Sequence, residues 1–221
     1  MLKLVIFDMD GTLGDTLGLC IETFRECVEE VSGRRPSAAE VEGYFGVSDR
    51  GVLGHLLGLD PESPELPVAR LVEIYKRLHP RLAPAPFPGA GELLLRLRTE
   101  GLGTALITGK EAYTAEPTLE AFGMVGLFDH IGYGVPTHNC KDECMRRLLR
   151  EFALLPEEVI YIGDAPSDIE HAHRVGIPVI SAAWASTAAA VASACESLRP
   201  EYRLTNFDDL LPLLLRLHKG E

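Results

Sequence analysis

Positive charge is scarce in this 221-residue chain: 21 Lys and Arg stand against 33 Asp and Glu, leaving a net charge of −12. Nucleic acid is excluded as the expected partner, because binding it needs clustered Lys and Arg. A small phosphorylated molecule is not excluded, since a metal ion and a few local cations override the global sign. No run of about 18 apolar residues exists, so no helix is expected to span a membrane. The apolar run at the N-terminus, Leu2 to Phe7, stops at Asp8. It is too short and too quickly acidic for a secretory signal, and a cytoplasmic location is expected. Cysteine is sparse and odd in number, five in all. Cys140 and Cys144 stand close, but no second pair lies at zinc-site spacing. Small buried thiols in a reducing compartment are expected instead.

What is present is a sizeable apolar fraction, 46%, with 24% charged residues, which suits a packed core and not a disordered tail. The length fits one large domain, or a core with a modest insertion. The stretch that organises the rest is Val5 to Leu13, VIFDMDGTL. Its apolar, β-branched start predicts a strand buried on both faces. The strand ends at once in Asp8, Asp10 and Gly11. Two carboxylates at the end of a buried strand repel each other, and a hard divalent cation with oxygen ligands would neutralise them. Gly11 permits a tight turn, and Thr12 adds a hydroxyl.

Beyond it, Thr16 is placed to cap a helix carrying Leu17, Ile21, Phe24, Val28 and Val31 at helical spacing. Further helices are predicted over 38–44, 50–58 and 67–82, and no strand, until Pro84, Pro86 and Pro88 form a stiff exit. The pattern then alternates. Helix 89–100 precedes strand 102–108. A helix is predicted to begin near Pro117, leaving a loop over 111–116. Strand 128–134, helix 141–152, strand 159–162, a helix capped by Ser167, strand 177–180, an edge strand at 202–205 and a helix over 207–217 follow. Alternation of this kind implies a parallel sheet with right-handed crossovers. Ligands in such sheets sit at the carboxyl ends of the strands. Asp8, Asp10, Thr108, Lys141, Asp164 and Asp168 all fall at that rim.

This set meets the needs of phosphate monoester hydrolysis: a nucleophile, a metal, cations and an acid for the leaving oxygen. Asp8 is expected to attack phosphorus and become an acyl phosphate, and Asp10 to reach the leaving oxygen and later activate water. Asp164 can hold Mg²⁺ together with Asp8, and Lys141 can supply a point charge and Thr108 a donor. Lys110 competes with Lys141 for the phosphate-binding role.

In order and spacing, four segments resemble the motifs of the haloacid dehalogenase superfamily of phosphotransferases: FDMDGTL, ITGK, Lys141 and YIGDAPSDIEHAHRVGI. The resemblance covers nearly the whole chain. It implies Asp8 as nucleophile, Asp10 as acid/base and as a Mg²⁺ ligand through its backbone carbonyl, Asp164 as metal ligand and Asp168 as its support. It implies an α/β fold: a Rossmann-like parallel sheet with helices on both faces, residues 1–14 and 86–221, and an inserted helical cap, residues 15–85. Gly109 and Arg50 are expected to bind substrate, Arg50 through a second anionic group. The chain is most similar to the phosphoglycolate phosphatase-like group. That group implies a Mg²⁺-dependent hydrolase, monomer or homodimer, acting on a small phosphorylated metabolite such as phosphoglycolate or a sugar phosphate. A sugar phosphomutase and a non-catalytic phosphometabolite-binding protein are the alternatives. Asp142 stands where close relatives carry Pro after the Lys. His171 and His173 are expected on a solvent face, Trp184 in packing, and His138 near the rim.

Overall fold

Strand β1 (Leu4–Phe7) lies inside a sheet whose order is β3-β2-β1-β4-β5-β6. The others are β2 (Gly103–Ile107), β3 (His130–Gly132), β4 (Val159–Gly163), β5 (Val179–Ala182) and β6 (Tyr202–Leu204), and every pairing is parallel. The computed structural model describes residues 1–221. Along β1 the side chains alternate between two cores. Val5 and Phe7 join one hydrophobic cluster, Leu4 and Ile6 the other. This is why the strand is apolar throughout: both faces are covered. Helices α5 (Ala90–Thr99), α6 (Ala112–Ala121) and α10 (Leu210–Lys219) pack on the first face. Helices α7 (Lys141–Glu151) and α8 (Pro166–Val175) pack on the second, where α9 (Ala188–Ser197) adds Cys195.

Four further helices, α1 (Leu17–Ser32), α2 (Ala38–Glu42), α3 (Asp49–Leu57) and α4 (Val68–Leu82), surround a third cluster of their own. The chain leaves the sheet after β1 and returns before α5. The two crossings are tied where the Phe87 N–H donates to the Leu13 carbonyl, 2.9 Å.

Several local expectations need correction. Helix α6 begins at Ala112, not near Pro117, so 111–116 is not a loop. Pro117 sits inside the helix, where it forgoes one backbone bond. What compensates lies far away in sequence. The Asp49 carboxylate accepts from the Glu111 N–H (2.9 Å) and the Thr114 hydroxyl (2.5 Å), capping α6 from α3. Ser167 lies within the first turn of α8. The capping bond there is made by the Asp168 side chain, which accepts from the Ala165 N–H, 3.0 Å. Thr16 occupies the first position before α1 but makes no capping bond. Its hydroxyl turns to Asp10 instead. Val31, at the end of the predicted stripe, is 52% exposed.

Candidate active site

Asp8 and Asp10 follow β1, Thr108 follows β2 and Asp164 follows β4, so three adjacent strands deliver their polar ends to one rim. Gly11 makes the turn after Asp10 with φ +73°, and a Cβ there would collide with the Asp164 carboxylate. The close approach of β1's turn to Asp164 therefore depends on glycine.

Carboxylate oxygens of Asp8, Asp164 and Asp168 lie within 4.8 Å of one another. Asp168 is already satisfied. It accepts from Lys141 Nζ (2.5 Å), the Tyr161 hydroxyl (3.0 Å) and the Ala165 N–H. Asp8 accepts the same ammonium at 3.1 Å. Burial pushes the Asp8 carboxyl up to about 7, with Asp168 and Asp10 adding repulsion that the Lys141 charge only partly offsets. Burial, Asp168 and Asp8 likewise raise Asp164 well above the usual carboxylate range. Two buried carboxylates left short of positive charge are the donor set a hard cation fits.

Asp10 sits in a second arrangement. Its Oδ1 lies 3.0 Å from Lys110 Nζ, accepts from the Thr16 hydroxyl, and faces the Cys20 thiol at 3.5 Å. Lys110 is 4% exposed, stands 2.8 Å from Cys20 Sγ and lies over the Tyr75 ring. Burial pushes the Asp10 carboxyl up, but the Lys110 ammonium and the bonds from Thr16, Lys110 and Cys20 outweigh it and hold it below the usual range. Burial opposes the charge on Lys110 too, yet Asp10, Cys20, Tyr75 and Asp49 keep it protonated well past its ordinary value. The structure thus separates the two competing lysines: Lys141 bridges Asp8 and Asp168, and Lys110 belongs to Asp10.

Thr108 is buried, and its hydroxyl accepts from the Lys110 N–H at 3.2 Å. Gly109 lines a cavity of about 390 Å³ between the rim and the inserted helices, together with Asp8, Asp10, Lys110, Lys141 and Asp164. Arg50 is not brought to this cavity. Its guanidinium donates to the carbonyls of Pro61 (2.9 Å) and Ser63 (3.3 Å). His138 pairs with Glu143 and Thr137 at the surface. His171 is buried against Asp142, contrary to the expected solvent face, and His173 meets Glu201. Asp142 also holds Arg146 on its own helix, and its contact with His171 ties α7 to α8. Trp184 packs on Phe207 and donates to the Thr12 carbonyl. Sequence reasoning missed the partners of Asp10. Cys20 and Tyr75 carry no local signal for that role, whereas Lys110 stands only two residues past Thr108.

A haloacid dehalogenase-like hydrolase family model matches residues 5–182. The chain belongs to that family. It is 29% identical over 185 residues to the tyrosine-protein kinase PtkA of Mycobacterium tuberculosis, covering 82% of this chain and 62% of that protein. The chain therefore spans less than two thirds of that relative's length. It is 26% identical over 219 residues to a phosphoglycolate phosphatase of Synechococcus elongatus, covering 98% and 99% of the two chains. Among solved structures it resembles a predicted phosphoglycolate phosphatase from Haemophilus somnus 129PT, with a TM-score of 0.74 at 21% identity over 96% and 97% of the chains. That likeness is one of fold.

Proposed function

We propose that this member of the haloacid dehalogenase-like hydrolases is a Mg²⁺-dependent phosphatase acting on a small phosphate monoester through an aspartyl-phosphate on Asp8. The observation that carries this reading is the shared rim, with Asp8 and Asp164 oxygens within 4.8 Å and Lys141 Nζ 3.1 Å from Asp8. Asp8, Asp164 and the Asp10 backbone carbonyl would hold the ion, with Asp168 as their support. When bound, Mg²⁺ keeps Asp8 ionised and offsets the charge of the phosphoryl group.

The Asp8 carboxylate then attacks phosphorus as the ester P–O bond breaks, and Asp10, ionised in the resting site, takes the proton carried in by the substrate monoanion and passes it to the departing oxygen. In the second half, Asp10 takes a proton from water, whose oxygen attacks phosphorus. The acyl-phosphate bond breaks, and inorganic phosphate leaves Asp8 free. Lys141 steadies the phosphoryl oxygens, and Thr108 and Gly109 complete their cradle. Asp10 must lose and regain a proton in each cycle. The Lys110 ammonium is placed to hold its charge between those steps. Residues 15–85 serve as the cap over residues 1–14 and 86–221, turning about Asp15 and the proline-rich return at 84–88.

Phosphate release from a panel of monoesters tests this. It should require Mg²⁺ and fall by at least about a thousandfold in Asp8→Asn, as loss of a nucleophile does. Full turnover in that variant would remove Asp8 from the mechanism.

A further inference from the structure

The part of the cavity lined by the inserted helices is mostly apolar. Leu17, Ile21 and Phe24 repeat along one face of α1, and Phe45, Val47 and Val52 close the wall from α3 and the loop before it. The only ammonium or guanidinium groups among the lining residues are Lys110 and Lys141. Both are committed, one to Asp10 and the other to Asp8 and Asp168.

Six of the seven arginines of the inserted helices are engaged elsewhere, and the seventh, Arg81, is exposed and does not line the cavity. Arg25 and Arg35 pair with Glu22, Arg34 with Glu40, Arg70 with Glu30 and Arg77 with Glu26, while Arg50 is held by backbone carbonyls. Negative charge, in contrast, does line the wall. Asp49 borders the cavity beside α6, and Glu42 is an exposed lining residue. A carboxylate or second phosphate on the leaving group would lose its water there and meet no cation. An apolar leaving group gains from the same burial.

We propose that the substrate carries its phosphate on an uncharged, apolar alcohol of aryl or branched-alkyl type, and that leaving groups with a second anionic group are rejected by the wall of Ile21, Phe24 and Val52. This rests on the phosphatase reading for the chemistry. It rests on the cavity wall alone for the choice of leaving group. The name of the phosphoglycolate relative points the other way, so the two readings are opposed in one measurement.

With Mg²⁺ present, kcat/KM should be at least about tenfold higher for benzyl phosphate than for phosphoglycolate, and the methyl ester of phosphoglycolate should exceed the free acid. Ile21→Arg, which sets a cation on the wall, should narrow or invert the ratio. Binding of two non-hydrolysable ligands, benzylphosphonate and phosphonoacetate, is measured by calorimetry alongside. Benzylphosphonate should bind at least about tenfold more tightly. Equal or tighter binding of phosphonoacetate, or equal or faster turnover of phosphoglycolate, overturns the proposal. Absence of phosphate release from every ester overturns the phosphatase reading instead, and the phosphonate pair still decides the class of leaving group. If Ile21→Arg fails to fold, both wild-type comparisons remain decisive.

Discussion

Two buried lysines, Lys110 just past β2 and Lys141 at the start of α7, are used differently. Around Lys141, one ammonium joins two carboxylates, Asp8 and Asp168, and a tyrosine hydroxyl completes the net. Around Lys110, the ammonium meets a single carboxylate, and the remaining neighbours are a thiol, a threonine hydroxyl and an aromatic face. In the first region burial, joined by repulsion from Asp168 and Asp10, pushes Asp8 up against the pull of Lys141. The second is balanced, and Asp10 is held down. Adjacent aspartates two residues apart in sequence are thereby given opposite tendencies. That division suits a nucleophile that needs a metal, and it keeps Asp10 ionised and ready to take a proton from water in the second half of the cycle.

Substituting each lysine breaks the comparison most directly. Lys141→Met should lower kcat/KM by about a hundredfold to a thousandfold, because it removes charge that meets the phosphoryl oxygens. Lys110→Met should cost about tenfold and act through Asp10. Burial then acts on Asp10 with less opposition, so its carboxyl rises and the limb of the pH–rate profile governed by it moves to higher pH. Lys141→Met should leave that limb in place. Steady-state kinetics across pH for both variants reads the difference. Equal losses with no movement of either limb would mean that the two regions do not divide the work.

A smaller effect sharpens the same contrast through stability. Asp8 is raised to about 7 from the ordinary carboxyl value of 3.8, so between those values the folded state binds more protons than the unfolded one. Stability from this group is complete below about pH 4 and is lost as pH rises through about 7. Asp164 works in the same direction, whereas Asp10, which is lowered, gains stability above its unfolded value and loses it as pH falls. Without Mg²⁺ the midpoint of thermal unfolding should therefore decline from pH 5 to pH 8. Adding Mg²⁺ should raise it by several degrees at pH 8 and far less at pH 5, where protons compete for Asp8. A Mg²⁺ shift of the same size at both pH values would show that Asp8 and Asp164 do not hold the ion.

Much of the rim was legible before the structure, because Asp8, Asp10, Thr108 and Asp164 sit within a few positions of a strand end and the alternation implies a parallel sheet, although it does not fix the strand order. Lys141 was read as the start of a helix after a strand, which is where it stands. The surroundings of Asp10 were not legible: Cys20 and Tyr75 come from helices of the insertion, and nothing local marks them as facing Lys110. The start of α6 was hidden for the same reason, since its cap, Asp49, is supplied across 62 residues of chain (Glu111 minus Asp49). The stripe on α1 shows a further ambiguity. Phe24 and Val28 join the packed cluster, yet Leu17, Ile21 and Phe24 also line the cavity. An apolar face at helical spacing has one sequence signature whether it packs on protein or on a ligand.

Arg50 offers the smallest effect and the finest test of the contrast between a charged rim and an apolar wall. Its two carbonyl contacts are made by a charged donor on a half-exposed side chain, worth about 1–2 kcal/mol together once exchange with water is counted. Arg50→Gln should therefore change kcat/KM by less than about twofold for either a charged or an uncharged ester, with only a slight fall in the unfolding midpoint. If it instead raised KM for phosphoglycolate alone, the guanidinium would have to leave Pro61 and Ser63 during turnover and meet the carboxylate. The wall would then acquire a cation in the closed state, and the preference for an uncharged leaving group would fail with it.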